Sequence, residues 1–121
     1  GCYDVLMPDI KYAGGYEEIR RIAALAQTAG VEIAPHNPTG PVCHAHSVQL
    51  CATLPNLLPL EVQFGETERF FALATGHDLR FTDGAATLPG VPGLGIVLDD
   101  AAARAAPWLP MPRPWLDPRL G

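Results

Sequence analysis

Three short apolar runs, each ending in an ionisable residue, recur along the chain and restrict its possible folds more than any other feature. The runs and their last residues are 5–9 with Asp9, 31–36 with His36, and 57–61 with Glu61. Short apolar runs bounded by turn residues are typical of strands that are buried on both faces, as in parallel sheets. The pattern therefore predicts three strands of one parallel sheet.

The segments between these runs have the apolar spacing of helices. The first predicted helix begins at Tyr16 and ends before Gly30, a residue type that suits the left-handed cap after a helix. The second covers Val42 to Leu54, with Pro41 at its start, where the missing N–H of proline costs little. The order strand, helix, strand, helix, strand predicts an α/β chain with right-handed βαβαβ connections.

The ionisable residues fall at the same end of each predicted strand. In parallel α/β folds, chemistry is concentrated at the carboxyl edge of the sheet, where loops from several strands meet. Because neighbouring strands lie about 4.8 Å apart, we expect Asp9 and His36 within hydrogen-bond reach, with Glu61 one strand further along. Each residue alone could be a turn residue or a solvated strand end. The three together favour an active-site edge.

Composition excludes several other functions. The chain has a net charge of −5, which does not suit binding to nucleic acid or to an anionic membrane surface. No apolar run approaches the roughly 18 residues of a membrane span. Three scattered cysteines (Cys2, Cys43 and Cys51) form no C-x-x-C pair. They argue against a disulfide scaffold or a zinc knuckle and favour a reducing, cytoplasmic setting.

Length sets a further limit. The chain has 121 residues, three parallel strands cannot close a barrel, and a complete barrel needs roughly 200 to 250 residues. The sequence begins with Gly-Cys-Tyr-Asp, without an initiator methionine or a signal peptide. We therefore expect this chain to be the C-terminal part of a longer protein.

Five stretches of the sequence carry a family resemblance. In chain order they are Met7–Gly15, Arg21–Ala26, Ala34–Val42, Leu54–Glu61 and Leu88–Val97. At these spacings between Asp4 and Asp100, they resemble the C-terminal part of the enolase superfamily, in its mandelate racemase and muconate lactonizing enzyme branch. The distance from His36 to Glu61 and the loop His-Asn-Pro-Thr-Gly-Pro are more similar to galactonate dehydratase and related acid-sugar dehydratases than to mandelate racemase.

The resemblance implies the fold of a modified, TIM-like (β/α)7β barrel with an N-terminal capping domain. This chain would supply the sixth, seventh and eighth barrel strands. The capping domain would belong to the missing N-terminal part of the protein. We expect a βαβαβ barrel segment at 1–66, a helix and hairpin segment returning towards the cap at 67–100, and a Pro-rich tail at 101–121.

The resemblance also implies a reaction. A Mg²⁺-dependent dehydratase would remove the proton alpha to the carboxylate of a sugar acid, an aldonate, and eliminate water through an enediolate. Its Mg²⁺ ligands are expected upstream of this chain, which would supply none. His36 would be an acid/base residue oriented by Asp9. Glu61 would lie beside the substrate carboxylate as a protonated hydrogen-bond donor.

Three further polar residues are candidates for substrate binding. Asn37 and Thr39 lie in the loop after the second predicted strand, where they could contact substrate hydroxyls. Lys11, the only lysine, could contact the substrate or a carboxylate, or remain a solvated cation in its loop. The compact C-H-x-H cluster at 43–46 lacks the spacing of ligands on one helix face, so we expect packed or solvated helix residues there.

Alternatives to a dehydratase stay open. A racemase or cycloisomerase of the same superfamily would use His36 as a base for one enantiomer rather than as an acid. An isolated, non-catalytic truncated module would leave these residues without a catalytic function. The sequence does not identify the sugar acid. The resemblance implies a homo-oligomer, and we expect the 121-residue chain alone to be inactive because it lacks the metal ligands.

The C-terminal half is less regular. Here we expect a short helix at 66–74, a small hairpin that turns at Asp83-Gly84, a flexible turn at 93–95 before an apolar run at 96–98, and an Ala-rich turn from Ala101.

Overall fold

The computed structural model of the chain describes residues 1–63, 69–76 and 79–106. The helices in these residues are α1 (Tyr16–Thr28), α2 (Pro41–Cys51), α3 (Arg69–Ala72) and α4 (Asp100–Ala105). The strands are β1 (Val5–Leu6), β2 (Glu32–Ile33), β3 (Ala74–Gly76) and β4 (Ile96–Leu98). They form two small sheets, one of β1 with β2 and one of β3 with β4.

The first sheet is parallel, as the sequence predicts. Strand β1 pairs with β2 so that Leu6 lies opposite Ile33. The third apolar run adds a parallel bridge between Leu57 and Ile33, and the N–H of Leu58 donates to the carbonyl oxygen of Ile33 at 2.8 Å. The structure thus shows the predicted order strand, helix, strand, helix, with β2 between the other two runs. The third run contributes a bridge rather than a strand.

The strands are shorter than we predicted, and three prolines account for the difference. Pro8, Pro35 and Pro59 lie inside the predicted runs, and proline has no N–H to donate to a strand ladder. The carbonyl oxygens of two of these prolines still accept hydrogen bonds from the neighbouring segment. His36 N–H donates to Pro8 O at 3.2 Å, and Glu61 N–H donates to Pro35 O at 3.3 Å. The segments therefore stay aligned up to the ionisable residues that end them.

Helix α1 packs against the first sheet through one face. It begins after Gly15, whose φ of 87° is a left-handed conformation that glycine adopts without strain. It is followed by Gly30, also left-handed with a φ of 69°, as predicted. The main core cluster joins α1, β2, α2 and the residue Leu54 that follows α2. Its buried members are Ile19, Ala23, Ala26, Ile33, Leu50 and Leu54.

Helix α2 is buried on two sides. Leu50 faces the main core cluster, whereas Ala45 packs against Phe70 and Leu79 of the C-terminal segment in a second cluster. The helix spans Pro41–Cys51, so it ends before Leu54, where our prediction placed its end. Because α2 lies between two packed layers, it buries residues around most of its circumference rather than along one stripe.

The predictions for the C-terminal half need two corrections. Within the described residues, the helix expected at 66–74 is limited to α3, and Ala74 begins β3, which pairs antiparallel with β4. The segment from Ala101 is not a turn but the helix α4. The carboxylate of Asp99 accepts the N–H of Ala102 at 2.8 Å, and an aspartate cap before several alanines favours a helix over a turn.

Two smaller C-terminal predictions are confirmed. Asp83 and Gly84 have φ values of 51° and 76°, and Thr82 forms an antiparallel bridge with Ala85 around them. Positive φ at both central residues is typical of a tight hairpin turn. The apolar run at 96–98 forms β4. The Pro-rich tail from residue 107 onwards lies outside the described residues.

Candidate active site

The backbone hydrogen bonds that continue the first sheet bring Asp9, His36 and Glu61 together. These bonds place the three residues side by side at the carboxyl ends of neighbouring segments. His36 Nδ1 lies 2.9 Å from Asp9 Oδ2, and His36 Nε2 lies 3.9 Å from Glu61 Oε2. The imidazole therefore stands between two carboxylates at one edge of the sheet.

The contact between Asp9 and His36 is a directed hydrogen bond. An ionised carboxylate can only accept, so the proton resides on His36 Nδ1 and is donated to Asp9. In the neutral ring, Nε2 then has a lone pair for acid/base chemistry. The Asp9 side chain is 5% exposed and that of His36 is 39% exposed. The buried Asp9 carboxylate thus fixes the orientation of the more accessible His36 ring.

Asp9 stays ionised despite its burial. Burial alone would raise the pKa of this carboxyl group, but hydrogen bonds from His36 and from the backbone and side chain of Lys11 outweigh it, and the pKa of Asp9 falls below 3.8. Lys11 N–H donates to Asp9 Oδ1 at 2.8 Å, and Lys11 Nζ lies 3.3 Å from Asp9 Oδ2. Lys11 therefore helps to orient the carboxylate for His36.

Glu61 lies on the other side of the imidazole. Its Oε2 accepts the backbone N–H of Asn37 at 3.1 Å, and its side chain is 28% exposed. A backbone donor thus holds the Glu61 carboxylate near His36 Nε2. This arrangement leaves the carboxyl group partly accessible at the same edge as the ring.

The three predicted substrate-binding residues are placed differently from one another. Thr39 is exposed, and its hydroxyl accepts a hydrogen bond from the Lys11 ammonium group at the open edge. Of the alternatives for Lys11, the structure shows the contact with a carboxylate, that of Asp9. Asn37 departs from our expectation, because it is 3% exposed and its side-chain amide faces inwards. The structure thus gives Asn37 a place inside the protein rather than at the open edge.

His44 is a buried neighbour of the edge that the sequence did not indicate. This residue of α2 has no exposed surface, and burial lowers its pKa, although a hydrogen bond with the carbonyl oxygen of Leu79 partly offsets that effect. Its neighbours Cys43 and Ala45 are also buried. Their small, apolar character was the one available signal that this histidine faces the interior.

The two imidazoles of the C-H-x-H cluster at 43–46 are directed to different partners. His46 Nδ1 lies 2.8 Å from the Tyr16 hydroxyl, while the His44 ring contacts Asn37 and Leu79. Across the described ranges, no group of three or more His, Cys, Asp or Glu side chains is arranged to bind a metal ion. Within the same ranges, no helix has the length and apolar character needed to cross a membrane.

The fold and the edge have counterparts in known proteins. Residues 1–102 match the family model described as Enolase C-terminal domain-like. The chain belongs to this family. The match extends from β1 into α4 and confirms the resemblance that the five sequence stretches indicate.

Curated relatives of this enolase-type chain include acid-sugar enzymes. The chain is 35% identical over 102 residues to D-xylonate dehydratase of Haloferax volcanii, covering 84% of this chain and 24% of the relative. It is 32% identical over 107 residues to D-galactonate dehydratase of Ralstonia pickettii, covering 84% and 28%. It is 35% identical over 106 residues to D-galactarolactone cycloisomerase of Agrobacterium fabrum, covering 82% and 28%. The chain thus spans about a quarter of the length of these relatives.

Solved structures show the same fold for this enolase-type chain. A mandelate racemase/muconate lactonizing enzyme from Jannaschia sp. CCS1 superposes with a TM-score of 0.76 at 42% identity, covering 88% of this chain and 27% of that one. A protein from Burkholderia xenovorans, bound to magnesium and fumarate, superposes with a TM-score of 0.75 at 27% identity, covering 86% and 25%. The predicted fold, an α/β segment of a TIM-like barrel, is confirmed.

The described residues do not fit a Mg²⁺ site. Mg²⁺ prefers several oxygen ligands in octahedral geometry. At this edge the carboxylate of Asp9 is engaged by His36 and Lys11, and the imidazole separates it from Glu61.

Proposed function

We propose that this chain supplies one edge of the active site of an acid-sugar dehydratase. The observation that carries the proposal is the His36 imidazole, anchored at Nδ1 by the buried Asp9 and flanked at Nε2 by Glu61. The identity to D-xylonate and D-galactonate dehydratases supports a sugar acid as the substrate class.

In this proposal His36 is the general acid. The reaction takes the proton from the carbon next to the substrate carboxylate and expels the β-hydroxyl group. His36 Nε2 protonates the departing hydroxyl, which leaves as water, and the enol that remains becomes a 2-keto-3-deoxy acid. The ionised Asp9 stabilises the imidazolium ring before this transfer. The base that removes the first proton lies outside this chain.

Glu61, Lys11 and Thr39 have supporting roles in the proposal. Glu61 lies beside the substrate carboxylate and, when protonated, donates a hydrogen bond to it. Lys11 and Thr39 are linked by a hydrogen bond at the open edge, where they are positioned for the substrate's polar groups. Asn37 has no direct substrate contact in this arrangement, because its side chain is turned inwards.

Mg²⁺ is the proposed cofactor of the longer protein, with carboxylate ligands upstream of Gly1. The protein from Burkholderia xenovorans that binds magnesium supports this choice of metal. A homo-oligomer stays a prediction that follows from the family resemblance.

A racemase or cycloisomerase is the second candidate function. The 35% identity to D-galactarolactone cycloisomerase favours it. In such an enzyme His36 would act as a base at the carbon next to the carboxylate, and no water would be eliminated. The same Asp9 contact would serve either role, because it stabilises the protonated ring in both.

The test begins with the coding sequence upstream of Gly1. A second histidine placed opposite His36 on the preceding strands favours the dehydratase, whereas a Lys-x-Lys pair favours racemisation or cycloisomerisation. The protein encoded by the whole frame is then incubated with Mg²⁺ and a panel of aldonates, and 2-keto-3-deoxy acids are measured. Exchange of the alpha proton with solvent, without formation of a keto acid from any aldonate, would contradict the dehydratase.

Two variants separate His36 from a general effect on the fold. We expect H36N to lower kcat of the longer protein by about 10²–10⁴-fold, the usual contribution of a general acid. D4N, which alters an exposed carboxylate before β1, should leave kcat within a factor of about two. The 121-residue chain alone is expected to show no turnover with Mg²⁺ and the same aldonates.

A further inference from the structure

His44 makes two directed hydrogen bonds from a fully buried position in α2. Its Nε2 lies 3.0 Å from the carbonyl oxygen of Leu79, and its Nδ1 lies 2.9 Å from the side-chain nitrogen of Asn37. A carbonyl oxygen can only accept, so the proton of the neutral ring resides on Nε2. Nδ1 is therefore the acceptor for one N–H of the Asn37 amide.

Asn37 in turn holds residue 61 at two points. The second N–H of its side-chain amide donates to the carbonyl oxygen of Glu61 at 3.1 Å. Its backbone N–H donates to Glu61 Oε2, also at 3.1 Å. The amide of Asn37 thus contacts the main chain of Glu61, while its backbone contacts the carboxylate.

Glu61 is the more exposed of the two carboxylates beside His36. Its side chain is 28% exposed, whereas that of Asp9 is 5% exposed. A partly exposed carboxylate samples several rotamers unless hydrogen bonds hold it. Hydrogen bonds made before a ligand arrives remove much of that ordering cost from binding.

We propose that His44 is a positioning residue that orients the amide of Asn37 and thereby fixes the Glu61 carboxylate beside His36. The catalytic importance of this positioning rests on the proposed function, in which Glu61 donates a hydrogen bond to the substrate carboxylate. It also assigns His44 a link to the C-terminal segment, because the same ring bonds Leu79.

Two substitutions of His44 each retain one of its two hydrogen bonds. In H44N, the amide oxygen can take the place of Nδ1 and accept from Asn37, while the bond to Leu79 is lost. In H44Q, the longer amide places its NH₂ near the position of Nε2 and can donate to Leu79, while the acceptor for Asn37 is lost. The two variants are matched in chemistry and differ in the contact that the proposal requires.

The measurement is the amide proton shift of Asn37 in ¹H–¹⁵N spectra of the chain at one pH, recorded with and without E61Q. Since this N–H donates to the Glu61 carboxylate, replacing the charged acceptor with a neutral amide should move the shift. The amplitude of that change should persist in the H44N background and be at least halved in the H44Q background. Equal amplitudes in wild type and H44Q would overturn the proposal, and so would a loss in H44N as large as in H44Q.

A measurement on the wild-type chain covers the case in which both variants fail to fold. Two-bond ¹H–¹⁵N correlations report the tautomer of each imidazole. The proposal requires His44 to carry its proton on Nε2, and a proton on Nδ1 would overturn it. These outcomes do not depend on catalysis, so a failed dehydratase assay leaves them unaffected.

Discussion

His36 and Asp9 are 27 residues apart in the sequence, yet the ring Nδ1 of one lies 2.9 Å from a carboxylate oxygen of the other. The contact follows from the parallel pairing of two segments, which the carbonyl oxygen of Pro8 extends to the residue that ends the second run. Lys11 Nζ approaches the same oxygen of Asp9 at 3.3 Å. The Asp9 carboxylate therefore contacts both the His36 ring and the Lys11 ammonium group at one edge of the sheet.

Acid should weaken the fold through Asp9. Its pKa is lowered in the folded chain, so it contributes stability that is complete above its unfolded pKa of 3.8 and is lost as the pH falls through the lower folded value. We expect D9N to reduce the free energy of unfolding at neutral pH by about 1–3 kcal/mol, the range for hydrogen bonds to charged groups. Urea titrations at several pH values measure both effects.

The exposed carboxylate Asp4 provides the matched control for this experiment. D4N should change the free energy of unfolding by less than about 0.5 kcal/mol. If D9N is no less stable than D4N at neutral pH, the hydrogen bonds to Asp9 do not stabilise the fold.

Mild acid should weaken the fold through His44. Burial lowers its pKa below 6.5, so the unfolded chain takes up a proton that the folded chain resists, and stability falls as the pH drops from 6.5 towards the folded pKa. In H44N this contribution should disappear, leaving a smaller loss of stability between about pH 7.5 and pH 5 than in wild type. Thermal unfolding at the two pH values measures the difference.

H46N serves as the control for His44, because it removes an imidazole that is half-buried rather than fully buried. It should keep most of the pH dependence of the wild type. An H44N variant that loses as much stability on acidification as the wild type would show that His44 does not carry this effect.

The main core cluster should dominate the stability of the barrel segment. Ile33 has no exposed surface and lies in the middle run of the first sheet. I33A should lower the free energy of unfolding by about 2–5 kcal/mol through lost burial and the cavity left behind. V97A, at a position in β4 that is 68% exposed, should cost less than about 1 kcal/mol. Similar losses for the two variants in urea would contradict the described core.

The three cysteines should differ in reactivity. Cys2 is exposed, Cys43 is buried, and burial raises the pKa of Cys51 to about 11. At about pH 8 the thiolate fraction of Cys51 is then about a hundredfold below that of an ordinary thiol. Alkylation followed by mass spectrometry should label Cys2 first, with all three cysteines labelled together in denaturant. Equal rates for Cys2 and Cys51 in the folded chain would contradict this burial.

Much of the fold was predictable because local patterns determine it. Apolar spacing located α1 and α2. The three apolar runs predicted a parallel sheet because a helix connects each run to the next. The convergence of Asp9, His36 and Glu61 followed from that order alone. The lengths of the strands were not predictable from apolar character alone. Each proline in a run lacks the N–H that would continue the ladder, which shortens the strand, while its carbonyl oxygen can still accept a hydrogen bond.

The pairing of Asn37 with His44 could not be predicted from local sequence. It depends on how α2 is rotated about its axis, and α2 is packed on two sides, so no single apolar stripe reveals that rotation. The place of Asn37 in the loop after His36 predicts an open-edge position, whereas hydrogen bonds to His44 and Glu61 draw its amide inwards. The helix α4 was not predicted, although its alanines and the Asp99 cap favour a helix.

The tautomer of His36 decides whether Asp9 holds the ring as described. The neutral ring should carry its proton on Nδ1, because Asp9 accepts that proton, although an isolated imidazole prefers Nε2. Two-bond ¹H–¹⁵N correlations at about pH 9, where imidazoles are neutral, should show the Nδ1–H form in wild type and the Nε2–H form in D9A. A wild-type ring protonated on Nε2, or a tautomer unchanged in D9A, would contradict the anchored ring on which the proposed chemistry depends.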